Sequence, residues 1–199
     1  MKMDYILRDA RKEEARELAR LINFAGKGPQ SVGLDYTVWS RSANEGQDPY
    51  DVGSLRVANE VGGYSYNNIR VIEADGKPAA LAMSFTIVKK TQTELDQIDD
   101  LFRIFADLSQ QAVGSYYLDS LAVSPEYRGH GFGRYLLEDT VDKAVKGGHE
   151  QISLLVFEKN QAALALYQKL GFKEQSKLIA PVHPSMPYEG YVILLSKSL

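Results

Sequence analysis

Apolar residues recur along this chain at period two in some stretches and at period 3.6 in others, and the succession predicts its elements. Tyr5-Ile-Leu-Arg8 reads as a short opening strand. Ala15, Leu18, Ala19, Ile22 and Ala25 follow at helical spacing while Arg16, Glu17 and Arg20 face away, and Gly26-Lys-Gly-Pro29 stops the helix. Residues 30–66 carry the weakest pattern; helices are predicted over Asp35–Asn44 and Ser54–Glu60, with a break at Gly62-Gly63. A hairpin comes next: strand Asn68–Ala74, tight turn Asp75-Gly76 and strand Ala79–Val88. Leu95, Ile98, Phe102 and Phe105 then mark one face of a helix over Thr93–Gln110.

The second half is sharper. Tyr116–Val123 predicts a buried strand stopped by Ser124-Pro125, and Arg128–Gly133 a glycine-rich turn. A helix over Phe132–Lys146 buries Leu137, Val141 and Ala144 and ends at Gly147-Gly148. Ile152–Phe157 is a strand, Asn160–Leu170 a helix closed by Gly171, and the regions Phe172–Ile179 and Tyr191–Leu195 are two last strands. Alternating strands and helices without internal repeats predict one α/β domain over residues 1–199.

Composition narrows the field. At 199 residues, 44% apolar and 25% charged, the chain has ordinary globular usage and needs no staples for its core. It has no cysteine, which excludes a disulfide scaffold, a thiolate zinc site and a cysteine nucleophile. Twenty-three basic against 26 acidic residues give a net charge of -3, unlike the basic excess of a nucleic-acid binder. Met1–Asp9 lacks the apolar run of a signal peptide, and no apolar stretch approaches the roughly 20 residues that span a bilayer. A soluble cytoplasmic protein is expected. Three scattered histidines without ligand spacing point to no metal.

Candidate chemistry concentrates in Tyr127-Arg-Gly-His-Gly-Phe-Gly-Arg134, between a strand and a helix. Alternating glycines let backbone approach a bulky ligand, and the helix that follows presents unpaired N–H groups and its positive dipole end. Arg128 and Arg134 add cationic donors. A pyrophosphate cradle results. A dinucleotide would want G-x-G-x-x-G and a later acid such as Glu158, but the third glycine here falls one position early. A purely structural glycine turn is the other alternative.

A second ligand class is suggested by resemblance. Leu121-Ala-Val-Ser-Pro-Glu-Tyr-Arg-Gly-His-Gly-Phe-Gly-Arg-Tyr-Leu-Leu137 resembles the signature of the Gcn5-related N-acetyltransferases (GNAT superfamily), its R-x-x-G-x-G core falling on Arg128, Gly131 and Gly133. A second block of that family is resembled through Asn160, Ala163, Leu166, Tyr167, Gly171 and Phe172. The resemblance implies a mixed, mostly antiparallel central sheet, splayed at the cofactor strand and flanked by helices, and acetyl-coenzyme A as co-substrate. It further implies that the backbone of Leu121, Ala122 and Val123 pairs with the pantetheine arm, with an N–H near Leu121 polarising the acetyl carbonyl. Backbone N–H groups of Gly129, His130, Gly131, Phe132, Gly133 and Arg134 would hold the pyrophosphate. Asn160 would contact the arm as well as cap its helix. Tyr167 would protonate the departing thiolate, although its helical spacing with Ala163, Leu166 and Leu170 also suits a core aromatic.

The resemblance implies transfer of an acetyl group to a primary amine, small or on a peptide, by direct attack in a ternary complex. A non-catalytic coenzyme A-binding module is the alternative, and a homodimer is common in the family. Asp119 is the best-placed carboxylate for base or amine anchor, yet simple alternation sets it on the face of Leu121 and Val123 unless a bulge changes the phase. His183, before the last strand, is a further base candidate; His149 reads as a surface residue. Glu94, Asp96, Asp99, Asp100 and Asp107, against a single Arg103, form either a solvated face or a field for a cationic acceptor. The chain exceeds a typical 150-residue domain, and the surplus lies at about 30–66 and 90–114, both expected on the acceptor side.

Overall fold

The computed structural model describes residues 4–27 and 32–199; Gly28, Pro29 and the start of the 30–66 segment, residues 30 and 31, lie outside them. The strands β1 (Tyr5–Asp9), β2 (Ile69–Ala74), β3 (Lys77–Thr86), β4 (Tyr116–Val123), β5 (Gln151–Phe157), β6 (Lys173–Ile179) and β7 (Tyr191–Ser198) build one sheet in the order β1-β2-β3-β4-β5-β7-β6. Only β4 and β5 run parallel. Every other neighbouring pair is antiparallel, as expected. The β2–β3 hairpin turns at Asp75 and Gly76 with φ of 51° and 72°, the double positive φ that such a tight turn requires.

Helices cover both faces. On one lie α1 (Ala15–Ala25), α2 (Leu34–Ser42) and α3 (Pro49–Val57), whose Leu18, Ile22, Trp39 and Val57 pack on Leu81 and Met83. On the same side α5 (Asp100–Ser109) presses Ile104 and Leu108 against Tyr117, Val192 and Leu194. The opposite face carries α6 (Phe132–Lys146) and α7 (Gln161–Lys169), whose Leu136, Leu137 and Tyr167 share a core with Leu118, Ile152 and Leu154.

Two helix expectations shift. The second helix of the 30–66 segment starts at Pro49, five residues before Ser54, because Asp48 caps it by accepting from the Tyr50 N–H at 2.9 Å and Pro49 fits the first turn. The Thr93–Gln110 helix is two helices, α4 (Gln92–Asp96) and α5, because the Asp99 side chain accepts the Leu101 N–H and starts a new helix.

Two irregularities of the sheet place the site. Ser120 pairs with Met83 and Leu118 with Ser84, so Asp119 has no partner on β3 and forms a bulge. And β4 pairs with β5 at three positions only, Tyr116 to Leu118, whereas β5 pairs with β7 along its whole length. From Asp119 onward the parallel seam is open.

Candidate functional site

The bulge answers the phase problem of β4. Before it, Leu118 faces the α6 core and Tyr117 the α5 core; after it, Leu121 and Val123 lie on the α6 side and Ala122 on the α1 side. Leu118 and Leu121 are thus three apart yet on one face. Asp119 is freed from the face of Leu121 and Val123, which corrects simple alternation, and turns into a cavity.

That cavity, about 200 Å3, sits where the seam opens. It brings together Asp119, Ser120 and Leu121 of β4 with Asn160, Ala163 and Tyr167, from the cap, first turn and last turn of α7. Water reaches Asp119 through the cavity while protein surrounds its carboxyl group. Desolvation pushes its pKa up to about 6, opposed by the Ser120 hydroxyl, which donates to Oδ2 at 2.9 Å. Tyr167 is buried, its ring 6.0 Å from that of Phe172, and burial raises its phenol to about 12. Tyr167 thus fills the core, as its helical spacing suggested, and also lines the cavity. Asn160 likewise caps α7, accepting the Ala163 N–H at 3.3 Å, and lines the same space.

Sequence reasoning missed Asp35. It stands in the first turn of α2 and lines the cavity beside Asp119. Burial first, then the charge of Asp119, raise it to about 7, although the Tyr64 hydroxyl donates to Oδ1 at 3.5 Å. Tyr64 is itself raised well above 10, by burial first and then by both carboxylates. An acid in a first helical turn is ordinary, so nothing local distinguished Asp35; only the tertiary fold sets it against β4.

The glycine turn meets the requirements of an anion cradle. Gly129 and Gly131 have φ of 82° and 80°, a region side chains rarely adopt, and a Cβ at either would meet open space. Gly131 is the N-cap of α6 and has no side chain with which to occupy the first N–H groups. The side chains around the turn are engaged locally: Arg128 Nε donates to the Val123 carbonyl at 3.4 Å, and Arg134 Nε to Glu138 at 2.8 Å. His130 Nδ1 lies 3.1 Å from the carbonyls of both Tyr127 and Arg128, and its ring is 5.9 Å from Phe132. Backbone, more than charge, is what the turn offers. With the open β4 edge leading to it, the donor set fits a long ligand ending in a pyrophosphate.

Other candidates fall elsewhere. His183 lines neither this cavity nor the cleft beside it, and its Nδ1 accepts the Ser185 N–H at 3.1 Å. His149 Nε2 lies 3.3 Å from the Thr86 hydroxyl, at the rim of β3. The acidic field of α4 and α5 is largely neutralised: Arg41 holds Asp99 and Asp100 at 2.8 and 2.9 Å, and Arg103 holds Asp107 and Asp96 at 2.8 and 3.3 Å. Among the described residues no group of three His, Asp or Glu is placed for a metal ion, and no helix is long and apolar enough to cross a membrane.

Known proteins resemble this chain in sequence and in fold. The ribosomal protein bS18 alanine N-acetyltransferase of Escherichia coli strain K12 is 40% identical over 67 residues, 34% of this chain and 45% of that protein. The chain spans about half the length, or less, of the curated relatives it matches. Mosquito arylalkylamine N-acetyltransferase like 5b superposes with a TM-score of 0.66 at 18% identity over 98% of this chain and 100% of that one. The NatC complex bound to Gag peptide and CoA gives 0.62 at 17% identity over 99% of both chains; these two likenesses bear on fold alone. The model of the acetyltransferase (GNAT) family matches residues 40–172, well over half the sequence, and the chain belongs to that family.

Proposed function

We propose that this chain is an N-acetyltransferase that moves an acetyl group from acetyl-coenzyme A to a primary amine by direct attack in a ternary complex. The observation that carries this reading is the meeting, in one cavity at the open β4–β5 seam, of a raised carboxyl group, Asp119, and a neutral phenol, Tyr167.

When bound, acetyl-coenzyme A supplies the thioester carbonyl at which the amine attacks. Residues Gly129–Arg134 hold the pyrophosphate with main-chain N–H groups, and the unpaired edge of Leu121–Val123 takes the pantetheine arm as an added strand, with Asn160 beside it. An N–H at Leu121 would stabilise the developing oxyanion, a type of interaction worth about 3–4 kcal/mol. The acceptor arrives protonated, since a primary amine has a pKa of about 10.4. Asp119 anchors the ammonium and removes its proton; a carboxyl group near pH 6 is ionised at neutral pH yet more basic than an ordinary one. As the new C–N bond forms and the C–S bond breaks, the Tyr167 hydroxyl would donate its proton to the sulfur, and the second proton of the attacking nitrogen would pass through solvent to restore the phenol. The desolvation that raises the phenol also raises a thiolate beside it, so this transfer is better balanced than values in water imply.

The test is coenzyme A release on mixing the protein with acetyl-coenzyme A and a panel of amines. Release is expected with at least one amine; binding of acetyl-coenzyme A without release across the panel would make the chain a binding module instead. Tyr167→Phe should lower kcat by about 10- to 100-fold with the KM for acetyl-coenzyme A little changed, and an unchanged kcat removes the proposed acid.

A further inference from the structure

A larger cleft, about 550 Å3, adjoins the cavity, and Tyr117, Asp119, Phe102 and Phe105 line both. We propose that it seats the body of the acceptor and that the acceptor is a small primary amine carried on an uncharged, apolar framework, an aralkylamine or alkylamine, with its nitrogen at Asp119. The inference rests on the reading of Asp119 as the group that meets the amine.

The walls carry the argument. Phe85, Ile87 and Val88 come from β3 and the residues after it, and Ile98 precedes α5. Phe102, Phe105, Ala106 and Ser109 follow at i, i+3, i+4 and i+7, so one face of α5 forms a side of the cleft. Phe85 and Tyr117 meet edge to face at 5.8 Å, and Phe102 and Phe105 at 6.1 Å, an arrangement that leaves ring faces and edges for an aromatic guest. On the far side Gly63 lies against Phe85, where a Cβ would come within 2.8 Å of the ring. The volume falls in the range of about 300–1,000 Å3 typical of small-molecule sites.

Charge narrows the class further. Among the described lining residues the ionisable acids and bases are Asp119, at the junction, and Lys90. The carboxylates of α4 and α5, held by Arg41 and Arg103, do not line the cleft. A polyamine or aminoglycoside would bring further cations toward Lys90 into a cleft whose one carboxylate, Asp119, is already taken by the reacting nitrogen. An amine with a single charge is paired by Asp119, and its framework meets Phe85, Ile87, Ile98, Phe102 and Phe105.

Initial-rate measurements with acetyl-coenzyme A test this, comparing 2-phenylethylamine and hexylamine with ethylamine, spermidine, lysine and a short peptide with a free apolar N-terminus. The expected kcat/KM for the first two exceeds that for spermidine and lysine at least tenfold. Ala106→Phe, which fills the cleft away from Asp119, should raise the KM for 2-phenylethylamine tenfold or more and leave the KM values for acetyl-coenzyme A and ethylamine within twofold. Ser109→Phe, one turn on, serves the same purpose if the first variant does not fold. Spermidine or the peptide as the better substrate, or unchanged KM for 2-phenylethylamine in the folded variant, overturns the inference while leaving the transferase reading intact. Absence of release with every amine overturns that reading itself.

Discussion

On one side of Asp119 the site is built of backbone: the unpaired stretch of β4 after Leu118 and, beyond the cavity, the turn through Gly129 and Gly131 and the N-terminus of α6. On the other side it is side chains gathered from distant segments: Asp35 from α2, Tyr64 from the passage before β2, and Phe102 and Phe105 from α5. A backbone wall binds whatever presents phosphates and amides, and it needs specific residues because only glycine adopts its φ angles at no cost. A side-chain wall fixes shape and charge, and many residue combinations can build one. The backbone wall is therefore constrained locally and the side-chain wall globally.

The comparison predicts a separation of kinetic effects. Asp119→Asn should have the largest, lowering kcat by about 10²- to 10⁴-fold, the range for loss of a positioned base, with acetyl-coenzyme A binding within twofold of the parent. Calorimetric titration with the cofactor alongside turnover measurements reads both. A parallel loss of cofactor affinity would mean that the two walls are not independent at their shared residue.

Gly131→Val should produce the opposite pattern with a smaller effect. A β-branched residue at φ 80° costs about 1–2 kcal/mol, and the turn relieves that strain by rotating its N–H groups away from the cradle. The KM for acetyl-coenzyme A should rise about tenfold while the KM for the amine stays within twofold. Equal rises in both would remove the distinction between a backbone wall and a side-chain wall.

The same contrast explains what the sequence revealed. Alternating apolar positions and glycines at turns located all seven strands, because register and positive φ leave marks on neighbouring residues. The block at Asn160–Phe172 was legible for the same reason: Asn160 caps a helix that Gly171, at φ 90°, closes. The start of α3 was hidden because its signal is a cap, Asp48-Pro49, in a stretch with little periodicity. The break between α4 and α5 was hidden because Asp99 both continues a helical pattern and caps a new helix. The acidic face looked like a field because Arg41, 58 residues before Asp99, cannot be assigned to it from spacing. The bulge at Asp119 leaves no mark in YYLDSLAV beyond a carboxylate where burial disfavours one. Asp35 left none at all.

Asp35 supplies the finest distinction between the walls, because it lines the cavity with Asp119 and its own proton is held by burial and by the charge of that residue. Its pKa of about 7 arises from burial and then from repulsion by Asp119, which loses its proton first, at about 6, while Asp35 is still neutral. The two carboxyl groups thus lose their protons in coupled steps around pH 6–7. Transfer needs an ionised base, so kcat/KM should climb with pH across that window. Because Asp119 loses its proton while Asp35 is still neutral, Asp35→Asn, neutral as well, should leave the acidic limb near pH 6 and the plateau rate within about threefold; a limb moved by a full unit would show that Asp35 ionises first. Stability gives an independent reading. A carboxyl group raised from 3.8 to about 7 binds its proton more tightly in the folded state. Its ionisation therefore weakens folding, starting above about pH 4 and reaching its full extent above pH 7, by as much as about 4 kcal/mol at 1.36 kcal/mol per unit. Asn at this position carries no charge to desolvate. The Tm of Asp35→Asn should exceed that of the parent at pH 8 and the advantage should vanish at pH 4; an advantage equal at both values would locate the strain in packing rather than in charge.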